Sequence, residues 1–364
     1  MRHRRPRAWA IVLLLAAITA GSGGLAGPVS AAPFRFNPMP WLGLAANIAD
    51  LFGGQSAIDT VLGPSSLNAG SDGRLTILLL GSDYRPRLAG TGERTDSIML
   101  MTINNSHQIS AVSLPRDVGN LPIAPGVIWK AKVNGLFKHF KQLYGTREAA
   151  ADHVRTSLEY AFQISIDYIA FVRFTGFERL VGNVGGVPVS VPYNIYDSGI
   201  VDDRSTKQHG AKFLQSNSTL ELGSTAPLCY TVGKPINWNA TPNCTRALLY
   251  VRSRHGPGNN DWRRARRQQS FVFAAMKRVL SNGQPQLASL RASALSNSDD
   301  FWTTLPTSPS DVLDMYYKLA GSSMPNQAVL SPPTYASNVP GTSKQELRID
   351  VVRTLMHSWF GPLN

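Results

Sequence analysis

Three apolar, β-branched runs, at 75–80, 98–103 and 109–114, dominate the hydrophobic pattern of this chain, and each has charged residues at an end. Runs of that length with polar ends predict buried strands that deliver side chains to one edge of a sheet. Further strands are predicted over 167–174 and 187–191, with helical patterns over 132–144, 147–162 and 176–183, the first two parted by Gly145. Such alternation of strands and helices predicts a three-layer α/β domain.

From 193 to 245 the periodicity fails and Gly, Asn, Ser, Thr and Pro take over. So long a stretch inside a domain is usually functional or disordered. A helical pattern resumes over 246–254 and breaks at 255–260. It restarts at Asp261 as a long helix, with Asn260 or Asp261 as its cap. Beyond it, a helix is predicted over 308–319, with Ser308 as cap and Pro309 at the first helical position, and a last one over 343–360. These elements divide the chain into a domain at 74–285, carrying the 193–245 insertion, and a helical extension at 286–364 packed on it. Residues 33–73, with one helical candidate at 41–52, read as a stalk or accessory segment.

Charge adds a partner class. With 43% hydrophobic and 16% charged residues the chain is an ordinary folding sequence, but Lys plus Arg outnumber Asp plus Glu by 36 to 23, a net +13 that calls for an anionic partner. The N-terminus narrows the compartment. Arg2, Arg4, Arg5 and Arg7 precede an uncharged apolar segment at 8–20, and small residues follow at 29–31, the pattern of an export signal over 1–32. The apolar run is shorter than the ~20 residues of a spanning helix, yet no charge follows until Arg35. Cleavage and retention as an anchor both stay open, so the domain is expected on the extracytoplasmic side, at the cell membrane or secreted. In that compartment Cys229 and Cys244 are expected to pair, contributing on the order of 3 kcal/mol, with two buried thiols as the alternative.

Candidate chemistry gathers at the strand ends. Asp83 and Arg85 follow the first run, Arg94 and Asp96 precede the second, and Arg116 and Asp117 follow the third. One Asp or Arg at a strand end is ordinarily a solvated turn residue. As a set they have the composition of a metal and phosphate site, since carboxylates supply hard oxygen ligands and arginine a bidentate fork for phosphate. A second constellation holds Arg252, Arg254, Arg263, Arg264, Arg266 and Arg267. Within it Asp261, Arg264 and Gln268 share a helix face with Phe271 and Ala275, which predicts that they point inward. Arg263 and Arg266 fall on another side and read as a solvated face. The export signal, and the lack of aromatics interleaved with these arginines, exclude nucleic acid as partner. GxSxG, HExxH and a Walker A loop are missing, which removes serine hydrolase, zinc protease and P-loop readings.

The segments GSDYR, RTDSIMLMTIN, ISAVSLPRD, KVN, DYIAFVRFTGFERLVGNVGGVPVSV, ALLYVRSR and DWRRARRQQ, in that order across about 74–280, resemble the motifs of the LytR-CpsA-Psr family of cell-wall glycopolymer ligases. The resemblance implies an α-β-α domain with a central mixed sheet and an apolar pocket for a polyprenyl tail. It implies a phosphotransferase that moves a glycopolymer, such as teichoic acid, capsule or arabinogalactan, from a polyprenyl-pyrophosphate carrier to peptidoglycan at the cytoplasmic membrane. By the same resemblance Asp83 and Asp96 hold magnesium or manganese, while Arg116, Arg252, Arg254, Arg264 and Gln268 bind the pyrophosphate. Asp96, Arg116, Arg252 and Arg254 stand at the reaction centre, and Arg85, Arg94, Lys132, Asn134 and Asp261 match further motif positions. Asp96 and Asp117 are the candidates to assist deprotonation of the acceptor, and the choice between them stays open. Asn183 stands where the family has Asp, and Asn243-Cys244-Thr245 replaces its usual Asn-Gly or Asp-Gly. A polyprenyl-pyrophosphate-binding protein, or a pyrophosphatase without ligase activity, remains as the alternative.

Overall fold

In the computed structural model residues 65–70, 73–84, 92–184, 186–193, 195–197, 212–214, 219–222, 230–231, 234–235, 246–254, 259–282, 300–306, 308–319 and 321–363 are described. The export signal, the helical candidate at 41–52, Arg85, Cys229 and Cys244 lie outside these residues.

The three apolar runs form β1 (Leu75–Ser82), β2 (Thr95–Ile103) and β3 (Gln108–Leu114). They pair antiparallel, β1 with β2 and β2 with β3. β4 (Tyr168–Arg173) runs parallel to β1, β5 (Phe301–Thr303) antiparallel to β4, and β6 (Ser323–Val329) parallel to β3. The result is a mixed six-stranded sheet of order β5-β4-β1-β2-β3-β6. Both edge strands come from the stretch read as a helical extension. Neither announces itself: β5 has three residues, and β6 carries Pro325 among polar positions. Short edges are defined by the neighbour they pair with rather than by their own periodicity.

Alternation along the strands supplies two faces. Leu78, Leu80, Ile98, Leu100, Val112 and Leu114 pack on one side against α1 (Leu136–Tyr144), α2 (Arg147–Phe162) and α7 (Ile349–Phe360). Thr146 caps α2, its hydroxyl accepting from the amide of Ala149 at 3.2 Å. On the other side Leu75, Ile77, Ile103 and Ile109 meet Phe273 and Met276 of α5 (Asp261–Asn282) and Met315 and Leu319 of α6 (Pro309–Leu319). This is the expected three-layer α-β-α arrangement. A third cluster joins Val181 of α3 (Phe174–Asn183) to Leu248 and Val251 of α4 (Arg246–Arg252) and to Phe271.

Asn260 caps α5, its side chain accepting from the amide of Arg263 at 2.8 Å, and Ser308 caps α6, accepting from Asp311 at 3.1 Å. The predicted helix over 132–144 is instead a short 3-10 turn, Val133–Gly135, leading into α1. Part of the 193–245 stretch is paired backbone: Ile195–Asp197 with Lys212–Leu214, and Thr219–Leu222 with Val187–Ser190. From the segment read as a stalk, Ser66 gives its amide to Asp311 at 2.6 Å and Leu67 packs on the sheet's second face. Among the described residues no helix is long and apolar enough to cross a membrane.

Candidate active site

Strand direction decides where the charges meet. β1 and β3 end, and β2 begins, at the same sheet edge, so Asp83, Asp96 and Arg116 are brought together as the sequence pattern predicts. One detail escaped that pattern. Gly81 pairs with Ser97 but Ser82 pairs with Thr95, which leaves Asp96 as the extra residue of a β-bulge. A regular strand sends neighbours to opposite faces, whereas Asp96 and Ser97 both line the same cavity. The bulge makes that possible by re-aiming Asp96. Gly81 is needed opposite it: a Cβ there would lie 2.9 Å from the Cβ of Ser97.

Asp96 is the hub. Its Oδ2 accepts from Arg116 Nη1 at 2.7 Å, its Oδ1 from Asn134 Nδ2 at 2.9 Å, and its backbone carbonyl from Arg264 Nη2 at 3.2 Å. Burial on its own would raise this carboxyl, but Arg116, Asn134 and Arg264 hold it below the usual aspartate range. Burial likewise opposes the charge on Arg116, and Asp96, Asp261 and Asp117 outweigh it and raise its pKa. Asp261 Oδ1 sits 3.0 Å from Arg264 Nη2, 3.7 Å from Arg116 Nε and 3.9 Å from Arg254 Nη1. One carboxylate thus holds three guanidiniums side by side. Lys132 pairs with Asp117 at 2.5 Å, and Gln268 accepts from Ser97 at 3.0 Å while donating to the Val251 carbonyl at 2.9 Å. Asp83 closes the hairpin mouth, its Oδ1 accepting from the amide of Arg94 at 3.0 Å. The Arg94 side chain is exposed.

Several of these residues line a cavity of about 640 Å³ between the sheet and helices α3 to α6. Its lining holds Asp83, Asp96, Arg252, Arg254, Arg264 and Gln268, and for the rest is mostly apolar, with Met99, Phe177, Leu248, Phe271 and Ala275 among the walls. Arg252 lies with its guanidinium 4.2 Å from the centre of the Phe174 ring, which orients the fork. The inward face predicted for the long helix is the one observed, Arg264 being only 7% exposed. Lys132 and Arg94 border the constellation through Asp117 and Asp83.

The donor chemistry suits a small divalent cation. Asp83 and Asp96 are hard oxygen donors on one cavity wall, and magnesium is commonly bound by one or two carboxylates together with phosphate oxygens and water. Among the described residues no group of three or more acidic, His or Cys side chains is placed to hold a metal alone. A cation here would therefore take its remaining ligands from substrate and solvent.

Sequence reasoning missed a second network beside this cavity. Glu93, its side chain 2% exposed, takes a bidentate pair from Arg173 at 2.8 and 3.0 Å, Lys141 Nζ at 2.7 Å and Ser82 Oγ at 2.8 Å. Arg173 also lines the cavity and covers the Tyr84 ring at 4.0 Å. Glu93 thereby ties the β1–β2 connection, which carries Asp83, to β4 and α1. Its position three residues before Asp96 was the available signal; the partners, 48 and 80 residues away, were not visible.

A model of the LytR_cpsA_psr family matches residues 54–323, reaching beyond the motifs at both ends. The chain is 28% identical over 272 residues to the cell wall biosynthesis protein LcpA of Corynebacterium glutamicum, covering 64% of this chain and 46% of that protein. It is 28% identical over 214 residues to the regulatory protein MsrR of Staphylococcus aureus, 58% of this chain and 51% of that one. The chain thus spans about half the length of these curated relatives. Similar folds occur in TagV of B. subtilis, with 18% identity, a TM-score of 0.52 and coverage of 79% and 98% of the two chains, and in protein gbs0355 of Streptococcus agalactiae, with 20% identity, 0.56, and 79% and 88%. With its family model matched over most of its length, the chain belongs to the LytR_cpsA_psr family.

Proposed function

We propose that the protein is an extracytoplasmic phosphotransferase that moves a glycopolymer from a polyprenyl-pyrophosphate carrier to peptidoglycan at the cell membrane. The observation that carries this reading is a cluster of arginines lining an otherwise mostly apolar cavity, which suits a ligand with a pyrophosphate head and an isoprenoid tail. Family membership and the similarity to a relative named for cell wall biosynthesis support the glycan as cargo.

The tail enters the apolar cavity, where burial contributes roughly 0.8 kcal/mol per CH₂. Arg116, Arg252, Arg254 and Arg264 hold the pyrophosphate and neutralise the charge that grows on it in the transition state. Asp83 and Asp96 would hold magnesium or manganese, which when bound supplies Lewis-acid polarisation of the pyrophosphate oxygens. A peptidoglycan hydroxyl attacks the glycan-side phosphorus. A new P–O bond forms to the acceptor, the bridging P–O bond breaks, and polyprenyl phosphate leaves. Asp96, with both oxygens engaged and its carboxyl held low, is a ligand and an anchor for Arg116 rather than the base. Asp117, next to Arg116 in the chain and paired with Lys132 through Oδ1, is the remaining carboxylate assigned to receive the hydroxyl proton.

Head and tail make separable demands, which gives a test. Ala275→Trp places a large ring in the apolar wall. It is expected to weaken binding of a polyprenyl-pyrophosphate-linked oligosaccharide at least about tenfold while leaving inorganic pyrophosphate binding unchanged, both read by isothermal titration. Equal binding of the tailed ligand by wild type and variant would remove the cavity from the account.

A further inference from the structure

Helix α5 is the wall of two cavities. At about 100° per residue, Arg264, Gln268 and Phe271 form one stripe, and Arg263, Arg266 and Ser270 form another about a third of a turn away. The first stripe lines the apolar cavity and the second a separate cavity of about 580 Å³.

The floor of the second cavity is fixed. Arg267 and Gln269 are each 1% exposed. Arg267 donates to the carbonyls of Tyr250, at 2.8 Å, and Ser253, to Asn259 Oδ1 at 3.0 Å and to the Tyr193 hydroxyl. Gln269 donates to Ser113 Oγ at 2.9 Å and to the Ala328 carbonyl at 2.7 Å. The wall facing solvent is different. Arg263 and Arg266 are exposed, and the Arg263 guanidinium stacks over the Tyr193 ring at 4.7 Å. Among the described residues that line this cavity there is no carboxylate. Arg263 and Arg266, which the sequence pattern assigns to a solvated face, are thus walls of a concave, uniformly basic site bordered by tyrosine.

We propose that this second cavity binds an oxyanion carried on a carbohydrate chain. Two guanidinium forks match the oxygens of a carboxylate or a phosphodiester, and stacking on Tyr193 fixes one fork in advance. Arginine is part of this wall and no carboxylate is, among the described lining residues, which sets the site apart from the first cavity, where Asp83 and Asp96 line the wall beside the arginines. The inference deepens the proposed transfer and rests on it for the chain's identity: a carboxylate would come from the acceptor wall, a phosphodiester from the donor polymer.

Binding tests it without turnover. The full chain in detergent is titrated with tetragalacturonate, with an oligo(glycerol phosphate) and with neutral chitotetraose. Wild type is compared with the double variant Arg263→Gln/Arg266→Gln and with Arg252→Ala. At least one acidic probe is expected to bind wild type and Arg252→Ala alike, and the double variant at least about tenfold more weakly, with chitotetraose much weaker throughout. Preference between the two acidic probes assigns the source. Absence of acidic-probe binding, undiminished binding by the double variant, equal binding of the neutral probe, or loss confined to Arg252→Ala would each overturn the proposal. Binding that persists where transfer fails would leave this site standing and remove the transfer reading instead.

Discussion

Asp96→Asn is expected to lower the rate of glycan transfer at least about a thousandfold while weakening binding of the lipid-tailed donor far less. The substitution keeps the shape of the side chain and removes the charge that Arg116 meets at 2.7 Å. Among the described carboxylates Arg116 then keeps Asp261 and Asp117, at 3.7 and 4.0 Å, and the single amide oxygen at position 96 can accept from Arg116 or from Asn134 but no longer from both. An amide is also a poor ligand for a divalent cation. The tail still finds its cavity, which is why the loss belongs in kcat rather than in donor affinity. Single-turnover transfer and donor titration on the same preparation separate the two. Because the Asp96 carboxyl is held below the ordinary aspartate range, its ionised form persists as pH falls past that range, and activity that depends on it is lost only below it. A variant that binds donor normally and transfers at the wild-type rate would place the chemistry elsewhere.

Glu93→Gln is expected to cost about 3 kcal/mol of stability, seen as a fall in Tm of roughly 6–12 °C. Burial would raise the Glu93 carboxyl, yet the hydrogen bonds from Arg173 and Lys141, with Ser82, bring it down to about 2 from an ordinary 4.5. A depressed carboxylate pKa means that the stabilisation is complete above pH about 4.5 and is lost as pH falls through about 2. A drop of that size corresponds to about 3 kcal/mol. The gap in stability between wild type and variant should therefore stay constant above pH about 5 and close on acidification toward 2. Chemical denaturation across that range measures it. Curves that stay parallel down to pH 2 would show that the charge of Glu93 is not what holds the hairpin. Since Ser82 adjoins Asp83 and donates to Glu93, the variant is also expected to lose activity through a displaced Asp83.

Much of this site was legible from periodicity alone. The three apolar runs became adjacent strands, and antiparallel pairing brought their charged ends to one edge. The helical spacing of Asp261, Arg264 and Gln268 correctly predicted an inward face, because 3.6-residue geometry needs no tertiary information. What stayed hidden depends on partners distant in sequence. The bulge at Asp96 exists only in the pairing of β1 with β2, and nothing in RTDSIM marks it. Arg267 resembles its neighbours Arg263 and Arg266 as a residue type. It is buried because the carbonyls of Tyr250 and Ser253, on another segment, converge on it. The edge strands β5 and β6 owe their existence to β4 and β3. Strand-end composition narrows the chemistry to metal and phosphate but not to a substrate; the expectation of magnesium and of a polyprenyl pyrophosphate comes from the family resemblance.

The central claim is that the bond broken is the bridging P–O bond of the pyrophosphate, so the phosphate next to the sugar travels with the glycan. Its most direct test is transfer from a polyprenyl-pyrophosphate-linked oligosaccharide carrying ³²P only in the sugar-side phosphate, incubated with the full chain, magnesium and peptidoglycan. The expected result is ³²P covalently attached to peptidoglycan, unlabelled polyprenyl phosphate as the released lipid, and neither product with Arg252→Ala. Label left on the lipid as polyprenyl pyrophosphate while the sugar reaches the wall would contradict it, and would make the reaction a glycosyl transfer.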